Sequence, residues 1–137
     1  MNKRRNFLTA ATALFGTLGL GLLPSFKSKA QDKMTGSFFH VVYFWLKEPD
    51  NDSSRKQFLK SLNSFLDEVD VIKSRHVGSP APTNRPVIDS SYTFSLILSF
   101  KNKADQDIYQ DHPSHKRFIA ESEGLWERVQ VYDSVKI

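Results

Sequence analysis

No cysteine occurs anywhere in this chain. That excludes disulfides, thiolate metal sites, a cysteine nucleophile, covalently attached c-type haem and a lipoprotein anchor. A basic stripe with interleaved aromatics is missing as well. Five of the 19 basic residues, Lys3, Arg4, Arg5, Lys27 and Lys29, fall within the first thirty positions, and the 14 that remain face 15 acidic ones. The formal charge of +4 therefore belongs to the N-terminus, the rest of the chain carries −1, and nucleic acid is not an expected partner. Internal repeats and low-complexity tracts are also lacking. From Gln31 to Ile137 the length suits one domain with one modest core.

Long apolar runs are scarce. The stretch from Asn6 to Leu23 is uncharged and rich in Ala, Thr, Gly and Leu, but Gly16, Gly19 and Gly21 weaken it and its length is near the lower limit for a membrane span. Before it stand Lys3, Arg4 and Arg5, with Phe7 and Leu8 just after the arginine pair, which is the address read by the twin-arginine export route. Pro24 ends the run, and Ser28-Lys29-Ala30 offers small residues where a signal peptidase cuts. The expected organisation is a twin-arginine signal peptide over 1–30, a short linker over 31–37 and one domain over 38–137. The expected location is periplasmic or otherwise extracytoplasmic, with the export machinery as a transient partner and no membrane contact after cleavage. A retained anchor is the alternative reading. A chain without cysteine also suits export after folding in a reducing cytoplasm.

Phe38 to Lys47 is aromatic and β-branched almost throughout, the composition of a strand. His40, Val42, Phe44 and Leu46 fall on one face and Phe39, Val41, Tyr43 and Trp45 on the other, so both faces should be covered. Pro49-Asp50-Asn51-Asp52 is a turn. A helix is predicted from near Ser53 to about Glu68, with Phe58, Leu62, Phe65, Leu66 and Val69 on one buried face. Val71 to Val77 reads as a second strand. Gly78 and the proline-rich Ser79–Pro86 make an irregular, exposed loop, either inert or a lid. Tyr92 to Phe100 alternates as a third strand. Asn102 can cap a helix running to about Gln110, Pro113 can start another that Gly124 ends, and Trp126 to Val135 gives a fourth strand. The order β-α-β-β-α-α-β, with helices on one face of a four-stranded antiparallel sheet, is the ferredoxin-like α+β arrangement. Its outer face would leave Phe39, Val41, Tyr43 and Trp45 to water, which predicts a second copy of the chain packed sheet to sheet.

Reaction chemistry, if the chain has any, is expected between Tyr109 and Phe118. Pro113 has a φ suited to a first helical position, which sets His115 in the first turn. The positive end of the helix dipole disfavours imidazolium there, leaving a base near neutral pH. Tyr109 ends the preceding helix, and spacing alone leaves open whether it meets His115. Two readings stand side by side: a general acid/base pair at an apolar pocket, or a tyrosine packed under a helix with a histidine satisfied by backbone. His40 is either a core histidine bonded to one carbonyl or a pocket wall. Phe94, Leu96 and Leu98, with Phe58 and Phe65, either line a ligand cavity or fill a small core. His112 most simply caps the helix that follows. His112 and His115 lack a matched carboxylate or thiolate, and His76 adds nothing to them, so a metal is not expected.

His40-Val41-Val42 opening a strand that ends in Lys47, Gly78, Ser91-Tyr92 before a strand ending in Phe100, Tyr109 with His112-Pro113-Ser114-His115 and Phe118, and Trp126 with Tyr132-Asp133 together resemble the Dabb family, the stress-responsive dimeric α/β-barrel domains. The resemblance implies a ferredoxin-like protomer that dimerises into a barrel without a cofactor. A plant branch of that family contains polyketide cyclases, whose catalytic tyrosine and histidine fall on Tyr109 and His115 and whose first-strand pocket histidine falls on His40. Where that branch has another pocket histidine this chain has Phe94. The functional expectation is an exported homodimer that binds a small apolar or carbonyl-bearing molecule, with acid/base lyase, cyclase or isomerase activity at Tyr109 and His115 and ligand contacts from His40, Phe94 and Leu96. A non-catalytic homodimeric binding or stress-related structural protein is the alternative. Kinship to haem- or quinol-handling members of the wider barrel superfamily rests on fold analogy alone.

Overall fold

Strand β1 (Phe38–Leu46) buries every second side chain, Phe38, His40, Val42, Phe44 and Leu46, while Phe39, Val41, Tyr43 and Trp45 stay half-buried. It runs antiparallel to β3 (Phe94–Phe100) on one side and to β4 (Trp126–Val135) on the other, and β2 (Ser74–Gly78) pairs with the far edge of β3, giving the order β2-β3-β1-β4. This computed structural model describes residues 35–137. The expected signal segment 1–30 and most of the linker lie outside the described residues.

Among the described residues three helices pack on one face of the sheet. α1 (Asp52–Asp67) starts where the Asn51 carboxamide accepts from the Ser53 and Ser54 N–H groups at 2.9 and 3.1 Å. Its Phe58, Leu62, Phe65 and Leu66 recur at helical spacing and are all buried, and Phe58 stacks on Phe94 of β3. α2 (Lys103–Asp111) is capped by Asn102, and α3 (Pro113–Ser122) runs into a 3₁₀ turn at Glu123–Leu125. The observed element order is the expected ferredoxin-like one. Two strand starts differ. β2 begins at Ser74 rather than Val71, because the Ile72 N–H turns back to the Val69 carbonyl and Val71 and Ile72 pack against the core from that turn. β3 begins at Phe94 rather than Tyr92, although the Thr93 N–H still reaches the Phe44 carbonyl and its hydroxyl takes the Leu46 N–H.

No helix among the described residues covers the opposite face. There Tyr43 meets Tyr92 and Tyr132 edge-on at 4.8 and 6.3 Å, and the Arg128 guanidinium lies 4.2 Å above Trp45. Tyr132 is 60% exposed, so the apolar patch expected from the alternation is present and left uncovered by the described residues.

Candidate functional site

The break between α2 and α3 builds the site. His112 is extended, its N–H satisfies the Tyr109 carbonyl at 3.1 Å, and its Nδ1 accepts the Ser114 N–H at 3.2 Å, so one residue closes one helix and caps the next. Pro113 then occupies the first helical position, where its missing N–H costs nothing. The sharp turn brings Tyr109 from the last turn of α2 against His115 in the first turn of α3, their ring centroids 4.8 Å apart. α3 is fixed in turn by Glu68 at the end of α1, whose carboxylate accepts from the buried Ser114 hydroxyl at 2.7 Å and from Arg117. The Ser114 hydrogen bond is the main reason the Glu68 carboxyl stays below its usual range.

His40 arrives from β1, its ring 5.4 Å from that of Tyr109. Its partner is not the backbone carbonyl expected of a core histidine but the Asp133 carboxylate on β4, with Nδ1 and Oδ1 2.6 Å apart. Register explains the contact, since His40 and Asp133 are direct neighbours across the β1–β4 ladder. An ionised carboxylate only accepts, so Nδ1 carries the proton. Sequence reasoning missed Asp133 as a site residue. The signal was available: Val129, Val131 and Val135 alternate on one face of β4, and Asp133 is the polar residue interrupting that face.

Tyr109, His115 and His40 line a single cavity of about 440 Å³ between the helices and the sheet. Gln106 and Gln110 of α2 and Asp133 complete its polar part. Val42, Phe44 and Leu96 form the floor, and Phe118, Ile119, Trp126, Val129 and Val131 the remaining wall. Of the candidate ligand contacts, His40 and Leu96 are therefore in the lining. Phe94 is placed away from it, stacked on Phe58 at 5.2 Å and covered by the Arg55 guanidinium.

The two helix-borne groups differ in their electrostatics. His115 donates its Nδ1–H to the Gln110 carbonyl at 3.1 Å, since a carbonyl only accepts, and the neutral ring therefore keeps its lone pair on Nε2. Burial is the largest cause holding its pKa below the ordinary value, against the Gln110 bond, which favours the cation; His40, His112 and Lys116 add to the lowering. The helix-start position predicts the same direction, and desolvation is its leading cause here. Tyr109 is 2% exposed, and burial followed by the Asp133 charge pushes its phenol well above the usual range. It is a neutral O–H donor at every physiological pH. Among the described residues no cluster of three or more His, Asp or Glu side chains is arranged to hold a metal ion.

The model of the Stress responsive A/B Barrel Domain, Dabb, matches residues 38–136. A stress-response A/B barrel domain-containing protein of Arabidopsis thaliana is 24% identical over 99 residues, covering 72% of this chain and 86% of that protein. Among solved structures, a Dabb family protein with a ferredoxin-like fold from Mesorhizobium loti is 25% identical with a TM-score of 0.62, covering 75% of this chain and 99% of that one. A dimeric ferredoxin-like protein from Thermobifida fusca, 16% identical, superposes with a TM-score of 0.60 over 74% of this chain and 93% of that one. A hydroxynitrile lyase from Passiflora edulis, also 16% identical, does so with a TM-score of 0.61 over 74% and 94%. A histidine paired with a carboxylate across the β1–β4 ladder, a tyrosine and histidine joined at a helix break, and a ferredoxin-like sheet carrying them are thus set in a chain that belongs to the stress-responsive A/B barrel (Dabb) family.

Proposed function

We propose that this protein is an exported homodimer whose cavity takes a small carbonyl-bearing molecule and performs cofactor-independent acid/base chemistry on it, of lyase, cyclase or isomerase type. The observation that carries the reading is the convergence of Tyr109, His115 and His40 on one largely apolar cavity. Neutral His115 has a lone pair on Nε2 that can take a proton from a hydroxyl or from a carbon α to a carbonyl. The Tyr109 phenol, a neutral O–H in the cavity lining, can donate to the substrate oxygen. In a lyase step the hydroxyl proton passes to His115, the C=O bond forms, and the bond to the leaving group breaks with its electron pair. That the Passiflora edulis neighbour is a hydroxynitrile lyase supports this reaction class. Each of the two groups is worth roughly 10²–10⁴-fold in rate.

The test is a turnover screen over hydroxynitriles and β-dicarbonyl compounds with the wild type, Tyr109→Phe and His115→Ala. Both variants should lose turnover by at least about a hundredfold while keeping the wild-type melting temperature. If His115→Ala destabilises the protein but leaves every turnover and ligand affinity unchanged, the site is structural and the non-catalytic binding protein is the better account.

Two further parts of the proposal have their own checks. The bare aromatic face of the sheet and the dimeric neighbour support a sheet-to-sheet homodimer, so Trp45→Asp should convert a dimer to a monomer in light scattering. Replacing Arg4 and Arg5 together with lysine should leave the precursor in the cytoplasm, and undiminished export would remove the twin-arginine assignment.

A further inference from the structure

Two side-chain ties join α1 to α3, about two turns apart on each helix. Ser61 donates to the Glu121 carboxylate at 2.7 Å, and Glu68 accepts from the Ser114 hydroxyl at 2.7 Å and from the Arg117 guanidinium. The first tie is exposed. The second ends on Ser114, which is 2% exposed and directly precedes His115. A buried hydroxyl needs a partner, and among the described residues the Glu68 carboxylate is the one Ser114 has. That anion also sits at the N-terminal turn of α3, where the helix dipole favours it.

α3 is joined to α2 through a single extended residue, His112, so the chain connection alone does not set how α3 is turned about its axis. Successive residues of an α-helix point about 100° apart. With Ser114 turned to the end of α1, His115 is turned to Tyr109 and the cavity. Phe65, about one turn before Glu68, stands behind both rings, 5.2 Å from that of His115 and 5.4 Å from that of Tyr109. The end of α1 thus supplies a wall for the His115 ring and an anchor for the residue before it. At a side-chain radius of about 5 Å, turning α3 by about 20° moves the ring by about 2 Å. Such a shift is enough to part it from Tyr109.

We infer that Glu68 is a positioning residue for His115: through Ser114 and Arg117 it fixes how α3 is turned about its axis, and so holds the His115 ring against Tyr109. The placement rests on these contacts alone, whereas its consequence for turnover rests on the acid/base reading above.

The experiment follows the His115 ring by NMR through a pH titration of the full chain, its signal identified by its loss in His115→Gln. The two ways in which Glu68 can act on His115 have opposite signs. A bare negative charge favours imidazolium, so its removal lowers the pKa. A clamp keeps the ring out of water, and since burial is the leading cause of the lowered pKa, releasing the turn raises it towards the ordinary histidine value. The other titratable groups around the ring, His40 and Asp133 on the sheet, Tyr109 on α2, and His112 and Lys116 beside it in the chain, are the same in every variant.

Glu68→Ala and Ser114→Ala should each raise the His115 pKa, weaken the nuclear Overhauser contact between the Tyr109 and His115 rings, and lower turnover by up to about a hundredfold. Glu68→Gln, which keeps an acceptor for both partners, should stay near wild type. Ser61→Ala, which cuts the exposed tie, should leave the His115 signal and turnover unchanged. A His115 pKa that falls or stays put in folded Glu68→Ala overturns the inference, as does an equal response to Ser61→Ala. Should Glu68→Ala not fold, Ser114→Ala, which keeps the pair of Glu68 with Arg117, decides by the same criterion. If His115 moves as expected but Tyr109→Phe and His115→Ala leave turnover untouched, the clamp stands and the acid/base reading falls. If those two variants lose turnover while Glu68→Ala keeps it, with the wild-type His115 titration, the clamp falls and the acid/base reading stands.

Discussion

Under α1 the sheet is packed solid, while under α2 and α3, towards β4, the same sheet face is left open. In the first region Phe58, Leu62, Leu98 and Phe100 are fully buried, and four aromatic rings, Phe44, Phe58, Phe94 and Phe118, interlock. In the second, Val129 and Val131 occupy equivalent inward positions on β4 yet remain more than a third exposed. The titratable groups lie at the boundary. Tyr109 and His115 have aromatic neighbours on the packed side, where Phe65 lies within 5.4 and 5.2 Å of their rings, and cavity on the other. Such a boundary lets a side chain be desolvated enough to shift its pKa while staying reachable by a ligand.

The comparison breaks most directly in a pair of truncations. Phe58→Ala removes a ring from the packed region and should cost about 3–5 kcal/mol in equilibrium urea unfolding. Val129→Ala removes methyl groups that already face water, and less than about 1 kcal/mol should be lost. Equal losses at the two positions would show that β4 is covered in solution and that the two regions are alike.

A second prediction concerns pH. Burial lowers the His115 pKa in the folded state, so below the ordinary histidine range the unfolded chain binds a proton that the folded one resists. The associated stability is therefore present above about pH 6.5 and is lost as pH falls from there through the lowered folded value. His115→Gln should flatten this acid limb of the unfolding profile. If the limb is unchanged in the variant, His115 is not held neutral by its surroundings.

How much of this was legible beforehand follows the same division. The packed half is written in side-chain period: Phe58, Leu62, Phe65 and Leu66 at helical spacing, and the alternation of β1 and β3, need only a helix stripe and a pleat to be understood. Strand ends were less legible, because Val71 and Ile72 are β-branched but are used as core-facing turn residues. At the site, Pro113 and His112 announced the helix break, and the contact of Tyr109 with His115 depends on the angle of that break, which no spacing encodes. Asp133 is harder still. It is 93 residues from His40 in sequence and reaches it through strand order, so its role appears only once β4 is known to lie beside β1 rather than at the far edge.

The smallest effect on stability, and the most specific one on the boundary, is expected from Asp133→Asn. The Asp133 side chain is 43% exposed, so its pair with His40 should contribute under about 1 kcal/mol to folding. Its chemical effect is different in kind. The carboxylate can only accept, which fixes the His40 proton on Nδ1 and leaves Nε2 as the acceptor in the neutral ring. An asparagine can turn its amide to donate to Nδ1, which moves the proton to Nε2 and converts that nitrogen from acceptor to donor. Nitrogen chemical shifts of the His40 ring distinguish the two tautomers directly. The variant should unfold within 1 kcal/mol of wild type, show the proton on Nε2, and bind carbonyl probes with altered affinity. Were the ring to keep its proton on Nδ1 with unchanged binding, Asp133 would be an ordinary edge-strand ion-pair partner, and the polar end of the cavity would reduce to Tyr109 and His115.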